Sequence, residues 1–386
     1  MQVSLAERLR EKIRREGAIT FHDWMKAALY DPNEGYYQRS DRERWGRKGD
    51  YRTSPERSEL FAATFARYFA TLFGELEDSK QEQPAGAGRA TRENLLLQTA
   101  PANWIVECGA GDGTFAAGVL RTLADQFPAV FAATRYIVYE LSDDARARAQ
   151  ERLAEFGDRV QFCSDWDLVS ATSGIYFSNE LLDAFPVHRL VKTGDDLSEL
   201  YVTVDSNGAF ASSTGPLSTP RLFEFCSAYS LELADGQIVE INLEIDDWFA
   251  RVAGKLENGF VITVDYGAEA VELYDPALRP HGTLRGFSRH GFVADVLVGP
   301  GEYDITASVN WTHVKTVGEK LGLKVIDFTS QDKFLLKAGL LDQLAYRLNS
   351  ARTEAERTSL TTGAREMILP GGMASHFQVL TQKRST

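Results

Sequence analysis

The residues best suited to chemistry lie in the stretch 103–115, which reads NWIVECGAGDGTF. A short apolar run reaches Glu107, and Gly109, Gly111 and Gly113 then alternate with other residues. A strand that breaks into glycines before a helix is typical of sites for phosphates, dinucleotides or S-adenosylmethionine. The spacing of the glycines and the acid before them distinguish these three ligand classes.

No lysine follows the glycines, so the spacing excludes a Walker A loop, which needs G-x-x-x-x-G-K-[ST]. The dinucleotide fingerprint G-x-G-x-x-G requires a third glycine where this sequence has Thr114. Glu107 is unfavourable beside a pyrophosphate but favourable beside an ammonium and a sulfonium group. The arrangement E-x-G-x-G-x-G therefore predicts S-adenosylmethionine as the cofactor, held by Glu107 and the three alternating glycines.

Two further acids support this cofactor. Glu140 ends the next predicted strand and could accept hydrogen bonds from both ribose hydroxyls, a feature that NAD-binding folds share. Asp165 follows the strand after that and could accept a hydrogen bond from the adenine amino group, although capping a loop is an alternative role. A buried Glu107 would be costly without a partner, so a purely structural role explains it poorly.

The elements that must position these residues alternate between strands and helices. The predicted strands are Trp104–Glu107, Tyr136–Glu140, Val160–Cys163, Ile175–Ser178 and Phe260–Asp265, and the predicted helices between them include Phe115–Gln126 and Asp143–Phe156. This alternation predicts an α/β, Rossmann-like fold in which helices cover both faces of a parallel sheet. An antiparallel excursion is expected over 187–236, and the stretch 373–384 is expected to form a closing edge strand.

The N-terminal part has a helical pattern over residues 4–16, 21–30 and 58–73, and a polar loop is expected over 78–102. We therefore predict an N-terminal helical segment with a cofactor-covering loop over 1–78. The methyltransferase-type domain then covers 79–386, with insertions at about 187–236 and 268–310.

The composition limits the class of protein. Among 386 residues the acids exceed the bases, giving a net charge of −13, and no basic stripe suited to nucleic acid appears. Three scattered cysteines and six scattered histidines contain no metal-binding spacing, and no apolar run is long enough to span a membrane. The basic N-terminal stretch contains several glutamates, unlike a transit peptide, which leads us to expect a cytoplasmic protein.

Motifs along nearly the whole chain resemble those of the MidA family. They are GDYRTSPERSELF (49–61), VECGAGDG (106–113), SNELLDAFPV (178–187), VDYG (264–267), HGTLRGFSRH (281–290) and PGEYDITASVNW (300–311). The resemblance implies a class I S-adenosylmethionine-dependent methyltransferase that modifies an arginine on a subunit of respiratory complex I and aids its assembly. The core motifs alone also fit a small-molecule methyltransferase, and a binding-only assembly chaperone is a third alternative.

A guanidinium is protonated at any cellular pH, so an arginine methyltransferase must hold it with carboxylates. We predict that Glu180 clamps the guanidinium and that Asn179 positions it. Asp183 lies three residues on and would share a face with Glu180 if this stretch is helical. The alternative is that Asn179 caps a helix and that the helix dipole favours Glu180.

Asp265 and Tyr266 end the fifth predicted strand and are expected to line the substrate side, although an Asp-Tyr-Gly turn could be purely structural. Near the N-terminus, the residues Tyr37, Gly49, Asp50, Thr53 and Ser54 could close over the cofactor as a lid, while Thr53 and Ser54 could instead cap the following helix.

Other polar residues carry weaker expectations. His281, Arg285 and His290 are candidates for a substrate groove, although lone histidines are usually structural. The segment TASVNW departs from the family pattern, which has a histidine and an aspartate there, so Ser308 and Asn310 are given no catalytic role.

Overall fold

The computed structural model describes residues 3–40, 58–81, 103–170, 173–288, 291–369 and 373–385. The helices are α1 (Leu5–Glu16), α2 (Phe21–Tyr30), α3 (Glu59–Gln81), α4 (Thr114–Gln126), α5 (Pro128–Ala133), α6 (Asp143–Leu153), α7 (Pro220–Ala228), α8 (Glu244–Lys255), α9 (Ala270–Leu273), α10 (Trp311–Lys320), α11 (Gln331–Lys337), α12 (Leu340–Ser350) and α13 (Glu354–Ile368). The strands are β1 (Ile19–Thr20), β2 (Asn103–Cys108), β3 (Thr134–Tyr139), β4 (Val160–Cys163), β5 (Ser173–Asn179), β6 (His188–Thr193), β7 (Asp196–Val204), β8 (Phe210–Gly215), β9 (Ile238–Ile241), β10 (Asn258–Ala268), β11 (Arg285–Ser288), β12 (Gly291–Val293), β13 (Asp304–Thr306), β14 (Val309–Asn310), β15 (Lys324–Ser330) and β16 (Phe377–Arg384).

The largest sheet confirms the predicted α/β, Rossmann-like fold. Its strands run in the order β15-β16-β10-β5-β2-β3-β4, and β14 pairs with β10 off this path. The neighbours from β10 to β4 are parallel in each pair. After β2 the chain builds β3 and β4 on one side and returns to place β5 on the other. The carboxyl ends of β2 and β5 therefore form a topological switch point, where open α/β sheets bind ligands.

Aromatic packing holds helices against this sheet. The Phe115 ring at the start of α4 stacks on Phe177 of β5 at 4.4 Å, and Phe65 of α3 packs on the same ring at 5.1 Å. All three side chains are buried. Aromatic pairs of this kind stabilise a core beyond the burial of their area, so the glycine turn between β2 and α4 is anchored on a rigid base.

The predicted antiparallel excursion is confirmed. Strand β7 pairs antiparallel with β1, β6 and β8, and β6 also pairs antiparallel with β9. A separate three-stranded sheet has the order β12-β11-β13. The predicted N-terminal helices are also present, and α1 buries Leu5, Leu9 and Ile13 in a core that includes residues of α2.

The chain divides into two compact units that are interleaved in sequence. One unit contains residues 1–52, 180–250 and 265–317, and the other contains 53–179, 251–264 and 318–386. The predicted boundary between residues 78 and 79 falls inside the continuous helix α3.

One sequence expectation about a strand is corrected, and one strand was not expected at all. The stretch near the C-terminus forms β16, but this strand lies between β15 and β10 rather than at the sheet edge. The edge strand is β15, an antiparallel partner of β16 that the sequence did not indicate. A strand's place in a sheet depends on long-range pairing, which apolar periodicity does not encode. Within the described ranges no helix combines the length and apolar character needed to cross a bilayer.

Candidate functional site

The turn between β2 and α4 requires its three alternating glycines. Gly109, Gly111 and Gly113 have φ angles of 71°, 56° and 76°, in the left-handed region that favours glycine. A Cβ atom at Gly113 would also approach the Cβ atom of Ala149 on α6 to 3.0 Å. The glycine spacing therefore produces a tight turn that brings bare backbone to the switch point of the sheet.

The helix that follows this turn is capped by its own acid. Asp112 Oδ1 accepts hydrogen bonds from the backbone nitrogen of Thr114, at 3.0 Å, and from its hydroxyl, at 2.7 Å. Arg152 pairs with the other oxygen of Asp112. A carboxylate at a helix N-terminus occupies the position that a bound phosphate would take. The geometry thus disfavours a pyrophosphate at this helix. It agrees with the sequence pattern, which argued against a dinucleotide as the ligand.

Glu140 lies directly after β3 and holds the glycine turn. Its Oε2 accepts a hydrogen bond from the Gly111 nitrogen at 2.9 Å, and its Oε1 accepts one from the Ser142 nitrogen at 2.8 Å. Its own backbone nitrogen bonds to the Cys163 carbonyl oxygen. Each carboxylate oxygen can accept a further hydrogen bond, so this anchored group remains suited to the ribose role predicted for it.

Glu107 is buried inside the sheet, with 5% of its surface exposed. The Tyr136 hydroxyl on neighbouring β3 donates to Glu107 Oε2 at 2.7 Å. Burial raises the pKa of Glu107 to about 8, the Tyr136 hydrogen bond opposes this rise, and the negative charges of Asp112 and Glu140 add to it. A carboxyl group held in this state is ready to ionise when a cation binds nearby.

Asp165 is exposed and caps a short 3-10 turn over Trp166–Leu168, with its Oδ1 accepting from the Asp167 nitrogen at 2.9 Å. The alternative role as a loop cap is therefore present in the structure. A hydrogen bond from the adenine amino group to the other oxygen stays a prediction. The neighbouring Trp166 ring packs edge-on against Tyr139 at 5.1 Å, which provides a buried aromatic wall beside this turn.

No helix forms in the described segment between β5 and β6, which corrects both helical interpretations of residues 179–183. Residues 180–187 form turns and bends, so Asn179 caps no helix and Glu180 and Asp183 do not share a helical face. Glu180 has a φ angle of 53°. Such a conformation is costly for a residue with a side chain, and residues of this kind cluster at functional sites. The strained backbone at Glu180 supports a functional role for this residue. The sequence did not predict this backbone conformation.

Asp265 holds this turn in place. It is fully buried, and its Oδ2 accepts hydrogen bonds from the backbone nitrogens of Leu181, Leu182 and Asp183 at 3.2, 2.9 and 3.3 Å. Its Oδ1 accepts from the Tyr266 nitrogen at 2.9 Å. The oxygens of Asp265 bind backbone N–H groups, so this side chain positions the turn, and its expected place on the substrate side stays a prediction.

Asp183 lies beside Asp265 and shares its burial. Desolvation raises the pKa of both carboxyl groups, and the charge of Asp183 raises that of Asp265 further. The Tyr266 hydroxyl lies close to Asp183 and opposes the rise in the pKa of Asp183. Buried acids with raised pKa values are effective proton acceptors near neutral pH.

The remaining candidate residues differ in whether the structure describes them and in what they contact. The predicted lid residues Gly49, Asp50, Thr53 and Ser54, together with His290, lie outside the described residues. Tyr37 donates a hydrogen bond to Asp304 Oδ1 at 2.5 Å. His281 and Arg285 are exposed. Asn310 holds neighbouring segments together, because its Oδ1 accepts from the His313 nitrogen and its Nδ2 donates to the Tyr274 hydroxyl.

Sequence reasoning missed two residues of the glycine site, Tyr136 and Asp112. A buried acid on a strand requires a donor, and an aromatic hydroxyl on an adjacent strand is a natural source. The signal for Tyr136 depended on knowing that β3 lies beside β2, where Val106 pairs with Ile137. Asp112 stood two residues before a helix start, which is itself a capping signal.

Searches against known proteins find relatives that span most of the chain. A mouse protein named "Protein arginine methyltransferase NDUFAF7, mitochondrial" is 26% identical over 95% of this chain and 81% of its own length. Its human counterpart is 25% identical over 95% of this chain and 80% of its own length. The names of these relatives describe them as mitochondrial, which contradicts the cytoplasmic location expected from the sequence.

A crystal structure from Burkholderia thailandensis, bound to S-adenosyl-homocysteine, superposes with a TM-score of 0.82. It is 28% identical, and the match covers 98% of this chain and 92% of that one. The family model described as "Putative S-adenosyl-L-methionine-dependent methyltransferase" matches residues 88–329. The glycine turn, the capped helix and the buried acids fit that cofactor. The chain therefore belongs to this family of S-adenosyl-L-methionine-dependent methyltransferases, the MidA family that its motifs resembled.

Proposed function

We propose that this methyltransferase modifies an arginine side chain on a protein. The observation that carries the proposal is the strained turn at Glu180, which follows β5 directly. Backbone N–H groups of this turn donate hydrogen bonds to the Asp265 carboxylate. Folding maintains a costly backbone conformation at an acidic residue, and an acidic residue is what a guanidinium requires. The mouse and human relatives, which bear the name of protein arginine methyltransferases, support the same substrate class.

The residues divide the chemistry between them. S-adenosylmethionine supplies a methyl group on a cationic sulfur. Glu180 holds the guanidinium and keeps its positive charge away from the attacking nitrogen, and Asn179 orients it. Asp183 takes the proton that the nitrogen loses when it gains the methyl group, because burial has raised the pKa of this carboxyl group. Asp265 and Tyr266 keep Asp183 in position.

On the cofactor side, the proposal assigns binding roles to residues of the glycine turn and its neighbours. Glu107 faces the cationic end of the cofactor, Glu140 takes the ribose, and Asp165 takes the adenine amino group. Gly49, Asp50, Thr53 and Ser54, which lie outside the described residues, keep the cofactor-binding role predicted for them from the sequence. The target that the MidA resemblance implies is a subunit of respiratory complex I.

The variant Glu180→Gln tests the clamp because it keeps the shape of the side chain and removes its charge. Turnover should fall by roughly 10²-fold or more, since alignment and a charge-assisted hydrogen bond are both lost. Affinity for S-adenosylhomocysteine, measured by calorimetry, should stay within about twofold, because the cofactor residues belong to the glycine turn and the strands beside it.

The matched control is Glu180→Gly, which accepts the positive φ angle without strain. It should raise the free energy of unfolding by about 1 kcal/mol and still lose activity. Normal turnover in Glu180→Gln would show that Glu180 has no part in substrate binding.

Intact-mass analysis of purified complex I subunits after incubation with enzyme and cofactor tests the substrate class. Addition of about 14 Da per methyl group, located on an arginine by fragmentation, is the expected result. Methylation confined to small metabolites would favour a small-molecule methyltransferase. Cofactor binding without any methylated product would favour the assembly chaperone.

A further inference from the structure

Three buried side-chain oxygens around the turn after β5 accept no hydrogen bond of normal geometry within the described residues. They are Oδ1 of Asp183, Oγ1 of Thr306 and Oδ1 of Asn242. Asp183 and Thr306 are only 5% and 3% exposed. Buried polar atoms are nearly always paired, so the acceptor capacity that these three oxygens leave in one neighbourhood suits a ligand that donates hydrogen bonds.

Contacts place these oxygens around two consecutive residues of the turn. Asn242 Nδ2 donates to the carbonyl oxygen of Leu182 at 3.1 Å. The backbone nitrogen of Ala307, which follows Thr306, donates to the carbonyl oxygen of Asp183 at 2.9 Å. The Tyr266 hydroxyl interacts with the side chains of both Asp183 and Thr306. The three side chains therefore flank one short stretch of backbone within a single compact unit.

The orientation of the Asn242 side chain leaves its oxygen, a hydrogen-bond acceptor, for a ligand. Its amide nitrogen must face the Leu182 carbonyl, because the flipped amide would bring two oxygens together. The remaining atom, Oδ1, can only accept a hydrogen bond. A carboxylate at Asp183 also only accepts, and the Thr306 hydroxyl can accept through its lone pairs. A ligand for this site needs several donors and no acceptor of its own.

A guanidinium meets this requirement. It carries five N–H donors in a plane and no acceptor, whereas an ammonium carries three donors on one point. We propose that Asn242 and Thr306, together with Asp183, recognise the guanidinium of the substrate and make the enzyme select arginine over lysine. This inference rests on the proposed arginine methyltransferase function and assigns its specificity to two residues outside the motif that contains Glu180.

The test uses the full chain saturated with S-adenosylhomocysteine and three blocked tripeptides, whose central residue is arginine, lysine or citrulline. Calorimetry or NMR titration should show the arginine peptide binding at least about tenfold more tightly than the others. Thr306→Val keeps the shape and removes Oγ1, and should weaken arginine binding about tenfold with little effect on the lysine peptide. Thr306→Ser should restore the affinity, since it restores the hydroxyl.

Thr64→Val is the control for the substitution itself. Thr64 is a fully buried threonine of α3 whose hydroxyl donates to the Leu60 carbonyl, and its variant should bind the arginine peptide as the parent protein does. Asn242→Ala is a second variant for the same titration if Thr306→Val folds poorly. It should also weaken binding of the arginine peptide. Unchanged arginine affinity in both Thr306→Val and Asn242→Ala would overturn the inference.

The mass analysis of the parent protein is independent of these titrations. Arginine methylation by the parent with unchanged binding in the variants would refute only the specificity role. Absence of arginine methylation by the parent, together with equal binding of all three peptides, would refute both proposals.

Discussion

At the scale of single residues, the acids of the candidate site differ in what holds them. Glu140 and Asp265 accept hydrogen bonds from backbone N–H groups on both carboxylate oxygens. Glu107 accepts one from the Tyr136 hydroxyl inside the sheet. Groups that bind backbone maintain the shape of a loop, whereas a buried acid with a raised pKa can change its charge when a ligand arrives. Glu107 is the group whose charge should depend on the cofactor.

We expect Glu107 to make cofactor binding depend on pH. Its pKa in the folded protein is about 8, so the side chain is mainly protonated at neutral pH. A cationic ligand requires the ionised form, and binding below pH 8 should therefore release up to one proton. Affinity should rise from pH 6 to pH 8 and then level off. Calorimetry in buffers of different ionisation enthalpy measures the proton release directly.

The same pKa shift acts on stability with the opposite sign. Between about pH 4.5 and 8 the folded state holds a proton on Glu107 that the unfolded state has lost, so stability falls as pH rises through this window. Glu107→Gln removes the ionisable group and should flatten both pH profiles. Proton release that persists in Glu107→Gln would assign it to a different group.

At the scale of elements, the close approach of the start of α4 to α6 requires glycine at position 113, because a Cβ atom there would meet Ala149. Gly113→Ala should destabilise the protein by roughly 1–3 kcal/mol, because alanine is strained at a positive φ and its Cβ would meet Ala149. Cofactor affinity should also fall, since the turn must shift. Denaturant unfolding and calorimetry measure the two effects.

The control for this change is Gly74→Ala in α3. No atom lies within 4 Å of the position that its Cβ would occupy, and the residue is helical. Alanine should therefore stabilise the protein by about 0.5–1 kcal/mol. A Gly113→Ala variant as stable as the parent would mean that the turn does not need a left-handed residue.

At the scale of the whole molecule, the net charge of −13 favours a cationic substrate. The KM for an arginine-containing protein or peptide should rise by roughly threefold or more between 50 and 300 mM salt, because screening weakens long-range attraction. The affinity for S-adenosylhomocysteine, which carries no net charge at neutral pH, provides the internal control and should change little. A KM that is independent of salt would exclude electrostatic steering of the substrate.

The sequence by itself determined the cofactor class and the main sheet. The conformations that Gly109, Gly111 and Gly113 permit are local properties, and strand and helix periodicities are local as well. A chain that returns to β5 after β2, β3 and β4 also follows general rules of parallel sheets. These features could be read without knowing which distant residues meet.

Tertiary structure decided the remaining features. Asp265 binds the backbone of residues 181–183, more than 80 positions earlier, and this contact replaces the helix that local patterns suggested. The partner of Glu107 and the interior place of β16 likewise depend on which strands become neighbours. Asn242 belongs to none of the sequence motifs, and Thr306 lies in the motif at 300–311 but was given no role there. Side-chain hydrogen bonds between distant segments leave no periodic trace in a sequence, so only the folded chain shows that these residues surround one turn.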